Sequence, residues 1–230
     1  VAHVFKTTLG KEITLPMPRI TWDEAMDKYG SDKPDLRFDM AFTDVTDLVK
    51  DTEFKVFRSV IDNGGVVKGI VVPGDAGIPR RELDDLVAYV NRYGAKGLAW
   101  AKVNDINAGL EGVQSPIAKF LNEEVWKALA ERVKAQTGDI LFFGADKWQT
   151  TTDAMGALRL KLGRDLGLTR LDEWQPLWVI DFPMFERDDE GNLAAMHHPF
   201  TSPMDEDLDK LESAENKLEL RAKAYDIVLN

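Results

Sequence analysis

Two of the three histidines in this 230-residue chain stand side by side, His197 and His198, in the segment MHHPFTSP at residues 196–203. Imidazole titrates near neutrality and offers two hydrogen-bonding nitrogens, so such a group suits the reading of a carboxylate or an amine. The carboxylates that could work with them are distant in sequence: Asp181 at the end of an apolar run, Glu186 just beyond it, and Asp226 in the segment AYDIVL at residues 224–229. Adjacent residues of an extended chain point to opposite faces, so at most one imidazole faces a given pocket and the pair is a poor two-ligand metal site. The competing reading of either ring is a histidine tied to backbone or packed on Pro199. Asp226 has two readings as well: its oxygens suit a hard cation such as magnesium, and a cap or a salt bridge would use it equally well.

These groups need elements to hold them. The run WVIDFPMF at residues 178–185 is apolar at nearly every position, so residues 177–182 read as a strand buried on both faces. A turn at Gly191-Asn192 leads to a second short strand that breaks at Pro199, which places the histidines at the end of a hairpin. Upstream, Thr21-Trp22-Asp23-Glu24 has the capping-box pattern and predicts a short helix that Gly30 stops. Pro34 keeps the following segment, GSDKPDLR at residues 30–37, out of helix.

From residue 38 to 167 short β-branched runs alternate with amphipathic helices, which predicts a compact α+β or α/β module. Residues 54–61 and 66–72, joined by Asp62-Asn63-Gly64-Gly65, read as a β-hairpin. A helix starts near Pro79, carries Leu83, Leu86, Val87 and Val90 on one stripe, and ends at Gly94. Strands are expected at residues 98–103 and 139–143. Helices are marked by Val125, Leu129 and Val133, and by Met155, Leu158, Leu162 and Leu166. Asp205, Glu206, Asp207, Asp209, Glu212 and Glu215 read as a solvated helix or mobile loop, and residues 222–229 run to the chain end as a strand or helix.

Composition narrows the classes. With 44% hydrophobic residues and a mean hydropathy of -0.28 the chain is long enough to bury a sizeable core, and no run approaches the roughly 18 apolar residues of a membrane span. It carries no cysteine, hence neither disulfides nor thiolate metal sites, and no structural metal is expected. A cytoplasmic location is the default expectation, and the start at Val1 invites the reading of an excerpt from a longer chain. The net charge of -11 argues against phosphate-backbone binding by these residues alone, and the small clusters Arg80-Arg81 and Arg159, Lys161 and Arg164 read as solvated faces. No P-loop, GxGxxG, HExxH, GxSxG or EF-hand pattern is present.

Taken together, GSDKPDLR at 30–37, FFGAD at 142–146, MGALR at 155–159 and the stretch 178–203 closely resemble the bacterial aspartyl-tRNA synthetases, over essentially the whole chain. The resemblance implies an α+β (mixed α/β) fold: parts of a class II synthetase antiparallel catalytic sheet at residues 1–37 and 168–230, enclosing the bacterial insertion, a GAD-like domain, at residues 38–167. It implies an aspartate–tRNA ligase that joins L-aspartate to ATP with magnesium, releases pyrophosphate, and passes the aspartyl group to the terminal adenosine of tRNA(Asp), with tRNA(Asn) as a second candidate. In the resemblance His197 contacts the aspartate substrate, His198 supports it, and Asp226 lies near ATP and its magnesium. For Asp32, Lys33 and Arg37 it implies motif membership alone. A homodimer without membrane contact is expected of the full enzyme. The family's second-motif and third-motif arginines would precede Val1 and follow Asn230, so these residues alone are expected to be inactive and to hold no cofactor tightly. The alternative is an isolated insertion module contacting tRNA or a partner protein, as in the amidotransferase B subunit, although that relative's flanks should lack GSDKPDLR and MHHPFTSP.

Overall fold

A computed structural model describes residues 1–188, 190–212 and 216–230, leaving aside the side chain of Asn216; Glu215 of the acidic run lies outside the described residues. In chain order the elements are α1 (Ala2–Val4), β1 (Arg19–Thr21), α2 (Trp22–Tyr29), β2 (Thr43–Asp44), α3 (Thr46–Val49), α4 (Lys55–Asp62), β3 (Val66–Val72) and α5 (Arg80–Asn91). They continue with β4 (Ala99–Val103), β5 (Val113–Gln114), α6 (Glu123–Val133), β6 (Ile140–Asp146), α7 (Trp148–Asp165), β7 (Leu177–Ile180), β8 (Phe185–Arg187), β9 (Leu193–Ala195) and β10 (Asp226–Val228). The mixture of helices and mainly antiparallel sheets is of the α+β class. Contacts divide the chain into two compact units: Val1–Met26, Asp32–Arg37 and Leu171–Asn230 in one, Asp27–Ser31 and Phe38–Arg170 in the other. No helix among the described residues is long and apolar enough to cross a membrane.

The second unit is built on a five-stranded sheet in the order β2-β3-β6-β4-β5, with every neighbouring pair antiparallel. Side chains alternate across it. Ile70, Val72, Ile140 and Phe142 pack under α5 and α7 with Leu83, Leu86, Val90, Leu158 and Leu162. Val67, Ala101, Leu141 and Phe143 face the other way, against Val49, Phe57, Trp126 and Leu129 of α3, α4 and α6. The central strands are buried on both faces, as a sheet covered by helices on both sides requires.

Residues 54–61 are not a strand. Phe54 precedes helix α4, and Phe54, Phe57 and Ile61 recur at helical spacing toward the core that also holds Phe143. Gly64, at φ 76°, ends that helix instead of closing a hairpin, and β3 finds its partners in β2 and β6. Two further readings also fail here, one of a surface charge and one of a core position. Arg159 is 1% exposed: its guanidinium donates to the Phe38 and Met40 carbonyls at 2.9 and 3.1 Å and lies over the Tyr29 and Phe38 rings. Leu166 falls beyond the last turn of α7 and is 39% exposed.

Gly30 and Gly156 explain two of the resemblance segments. A Cβ on Gly156 would stand 2.6 Å from the Gly30 carbonyl oxygen, and one on Gly30 would meet the Thr152 carbonyl, so turn and helix approach backbone to backbone.

The first unit carries a three-stranded sheet ordered β1-β7-β10, in which β1 pairs parallel with β7 and β10 pairs antiparallel. It is therefore a mixed sheet. The reading of residues 177–182 as buried throughout gives way to alternation: Leu177 and Val179 are fully buried, whereas Trp178 and Ile180 are half-buried. The Thr21 hydroxyl accepts from the Glu24 amide at 3.1 Å, which starts α2 where the capping-box pattern puts it.

Candidate functional site

The first unit gathers the residues singled out for chemistry. Strand β7 leaves the sheet at Asp181, a non-glycine residue at φ 57° whose left-handed turn redirects the chain into Phe182 and Pro183. Residues 182–184 then run between two other segments. On one side Ala222 donates to the Phe182 carbonyl at 2.7 Å and Met184 donates to the Leu220 carbonyl at 2.8 Å. On the other the β8–β9 hairpin returns, and Met196 donates to the Met184 carbonyl at 3.1 Å. The hairpin's turn is tied by Asp188, whose carboxylate accepts from the amides of Asn192 and Glu190, bonds that hold it below the usual carboxylate range.

The histidines follow that hairpin, in the bend beyond β9, and point to different surroundings. His197 turns inward, its ring edge-on to Phe182 at 5.8 Å between centroids, and its Nε2 is buried without a hydrogen-bond partner among the described residues. His198 is exposed; its Nδ1 accepts from the Phe200 amide at 3.3 Å, and its ring lies against Phe200, which is 92% exposed. A buried nitrogen left unpaired costs on the order of 1–3 kcal/mol, so its retention is informative.

Asp226 opens β10 directly opposite Val179, on the sheet face that holds Leu177, Val179 and Val228, at the point where that face becomes exposed. From Val179 to Phe182, where His197 packs, is at most about 10 Å of chain. No hydrogen bond or ion pair joins His197 to Asp226 among the described residues. Nor, among the described residues, is any group of three or more His, Asp or Glu gathered there that could hold a metal ion. Asp32 and Lys33 lie in the turn after α2, while Arg37 makes a two-pronged ion pair with Asp35 at 3.0 and 2.8 Å.

Sequence reading missed the ion pair behind this site. Asp207, placed among solvated acids, is 3% exposed and accepts from Arg221 three times: backbone N at 3.0 Å, Nε at 2.8 Å and Nη2 at 3.2 Å. The Arg221 side chain holds the Asp207 carboxyl far below the ordinary carboxylate range, and Asp207 in turn pushes the Arg221 guanidinium up. Arg221 also reaches Asp181 at 3.8 Å, so one guanidinium braces the left-handed turn that delivers Phe182 to His197. No spacing signal connects residues 14 positions apart in irregular chain.

A fold of this class is accompanied by a family match. Residues 57–155 match the GAD domain, a domain found in aspartyl-tRNA synthetases and related proteins. The match lies within the unit of the five-stranded sheet.

Proposed function

We propose that this chain is part of an aspartate–tRNA ligase, in which the first unit contributes to the aspartate and ATP site and the second is the inserted GAD domain. The observation that carries the reading is the buried, unpartnered Nε2 of His197, a hydrogen-bonding group waiting for a ligand. In the reaction an α-carboxylate oxygen of L-aspartate bonds to the α-phosphorus of ATP and pyrophosphate leaves. A ribose hydroxyl oxygen of the tRNA's terminal adenosine then bonds to the aspartyl carbonyl carbon, losing its proton, as the acyl–phosphate bond breaks and AMP leaves.

In that scheme His197 contacts the aspartate and discriminates by hydrogen bonding; it is a binding group, not a base. His198 supports it from outside by accepting the Phe200 amide, which shapes the turn behind the ring. Asp226 contributes one oxygen to magnesium, and the ion offsets phosphate charge as pyrophosphate leaves. Arginines of the family's second and third motifs are expected to complete the carboxylate and phosphate contacts, because planar bidentate recognition needs guanidinium. The partners on this reading are L-aspartate, ATP and tRNA(Asp), with tRNA(Asn) as the second candidate, in a cytoplasmic homodimer.

The test is isotopic ATP–pyrophosphate exchange by the whole product of the gene encoding this chain. Exchange should require L-aspartate, and L-asparagine and L-glutamate should not replace it. Exchange indifferent to aspartate would sink the proposal. The 230 residues by themselves should show none. A second reading, an insertion module that binds tRNA, is favoured by the confinement of the family match to residues 57–155; tight, salt-sensitive retardation of tRNA by the second unit's sequence would support it over the first.

A further inference from the structure

A slot of about 790 Å³ opens in the second unit where two neighbouring strands part company. Strand β6 pairs with β3 along its whole length, from Ile140 to Asp146, but with β4 only from Ile140 to Phe143. Ala99 is the last β4 residue in register, opposite Phe143. Had the ladder continued, Leu98, Gly97 and Lys96 would have met Gly144, Ala145 and Asp146. Instead the chain before β4 turns away, and the backbone of residues 96–98 makes no hydrogen bond to the protein among the described residues. Two strand edges therefore face the slot without ladder partners, an arrangement that folded proteins otherwise pair or cover.

The walls have a definite chemistry. Phe54, Phe57, Leu98, Trp100 and Phe143 supply an apolar floor. Lys96 and Lys147 stand exposed at the rim, and neither ammonium makes an ion pair among the described residues. The rim's other charges are already engaged: Arg80 pairs with Asp84 at 3.0 Å, and the Asp146 carboxylate accepts from the Lys147 amide at 2.8 Å. In a chain of net charge -11, the charges lining this slot, Arg80, Lys96 and Lys147 against Asp84 and Asp146, leave an excess of one positive charge.

We propose that the slot is a docking site for an extended segment of a partner protein, with apolar and acidic residues in alternation, which adds to the open edge of β6 as a further strand. An extended peptide uses all three features together: its backbone answers the strand edge, alternate side chains fill the aromatic floor, and its carboxylates meet Lys96 and Lys147. A nucleotide would use the lysines and the rings but leave the edge unanswered.

The probe is a pool of peptides about ten residues long, alternating Val, Leu or Phe with Glu or Asp, added to the whole chain. Amide chemical shifts and hydrogen exchange are then read residue by residue. The pool should shift and protect the amides of residues 96–98 and 144–147. A matched pool with Lys in place of the acids should bind about tenfold more weakly or worse, as should the double variant Lys96→Glu, Lys147→Glu, whose substitutions are at exposed positions. Three results would overturn the proposal. The acidic pool at about 1 mM could leave those amides unmoved. A proline-interrupted pool, lacking strand donors, could bind equally well. A single-stranded RNA of equal charge could displace the peptides from those same amides, which would make the slot a phosphate-reading surface.

Discussion

Replacing Arg221 with methionine keeps the length of the side chain and removes its charge, and the consequence can be worked from the distances. Two charge-assisted bonds to Asp207 disappear, at 2.8 and 3.2 Å, together with the 3.8 Å approach to Asp181. Bonds of this kind are worth roughly 1.5–3 kcal/mol each. Two terms reduce the sum: the Arg221 amide and Lys210, at 3.2 Å, still serve the Asp207 carboxylate, and the Arg221 side chain is 39% exposed, so water already screens it. A loss of about 3 kcal/mol is expected, local to this unit. Its pH dependence has a definite sign. The folded-state value for Asp207 is depressed, so its stabilisation is fully present above the ordinary carboxylate range and is lost as pH falls through the folded value. The variant's carboxyl returns toward its ordinary value, so the gap between the two proteins should be widest near pH 7 and should close below about pH 4. Hydrogen exchange at the amides of Met184, Met204 and Ala222, which tie the segment of Arg221 to its neighbours, reports it directly. A gap under about 1 kcal/mol at neutral pH, or one that stays constant as the pH falls to about 3, would refute the reasoning.

Other perturbations follow from the same geometry. Gly156→Ala places a methyl 2.6 Å from the Gly30 carbonyl oxygen, and because both sides are backbone the second unit should lose about 1–3 kcal/mol, measured by denaturant unfolding of the Trp100 and Trp126 signals. Leu158→Ala opens a hole where the side chain is fully buried between α7 and the sheet, with an expected cost of about 2–5 kcal/mol by the same assay. Arg159→Met leaves the Phe38 and Met40 carbonyls without their donor, and residues 38–40 should exchange amide hydrogens faster than in the parent while α5 keeps its protection.

The parts of the fold that could be read from the chain are those whose pattern is local. Leu83, Leu86 and Val90 mark α5 because a 3.6-residue period puts them on one stripe; Thr21 with Glu24 marks the start of α2; Gly191-Asn192 marks the β8–β9 hairpin. The misreading at residues 54–61 has a physical cause: Val, Phe and Ile favour strands intrinsically, and Asp-Asn-Gly-Gly suits a hairpin, but the helix buries Phe57 against Phe143 and tertiary packing overrides propensity. Charges were the least legible. Arg159 and Asp207 look solvated in sequence because the groups that satisfy them, the carbonyls near residue 38 and the guanidinium of Arg221, are brought up only by folding. For the candidate site, the expectation that His197 and His198 face different surroundings agrees with the structure, although they lie in a bend and not in a strand, whereas the brace formed by Asp181, Arg221 and Asp207 appears only in three dimensions.

The central claim is that His197 reads aspartate. The most direct measurement is steady-state pyrophosphate exchange by the whole gene product carrying His197→Ala, with His197→Gln beside it to restore a hydrogen-bonding group. The KM for aspartate should rise about tenfold or more in the alanine variant, the worth of one hydrogen bond to a charged group, while the KM for ATP holds and glutamine recovers part of the loss. An unchanged KM for aspartate in a folded alanine variant would contradict the account.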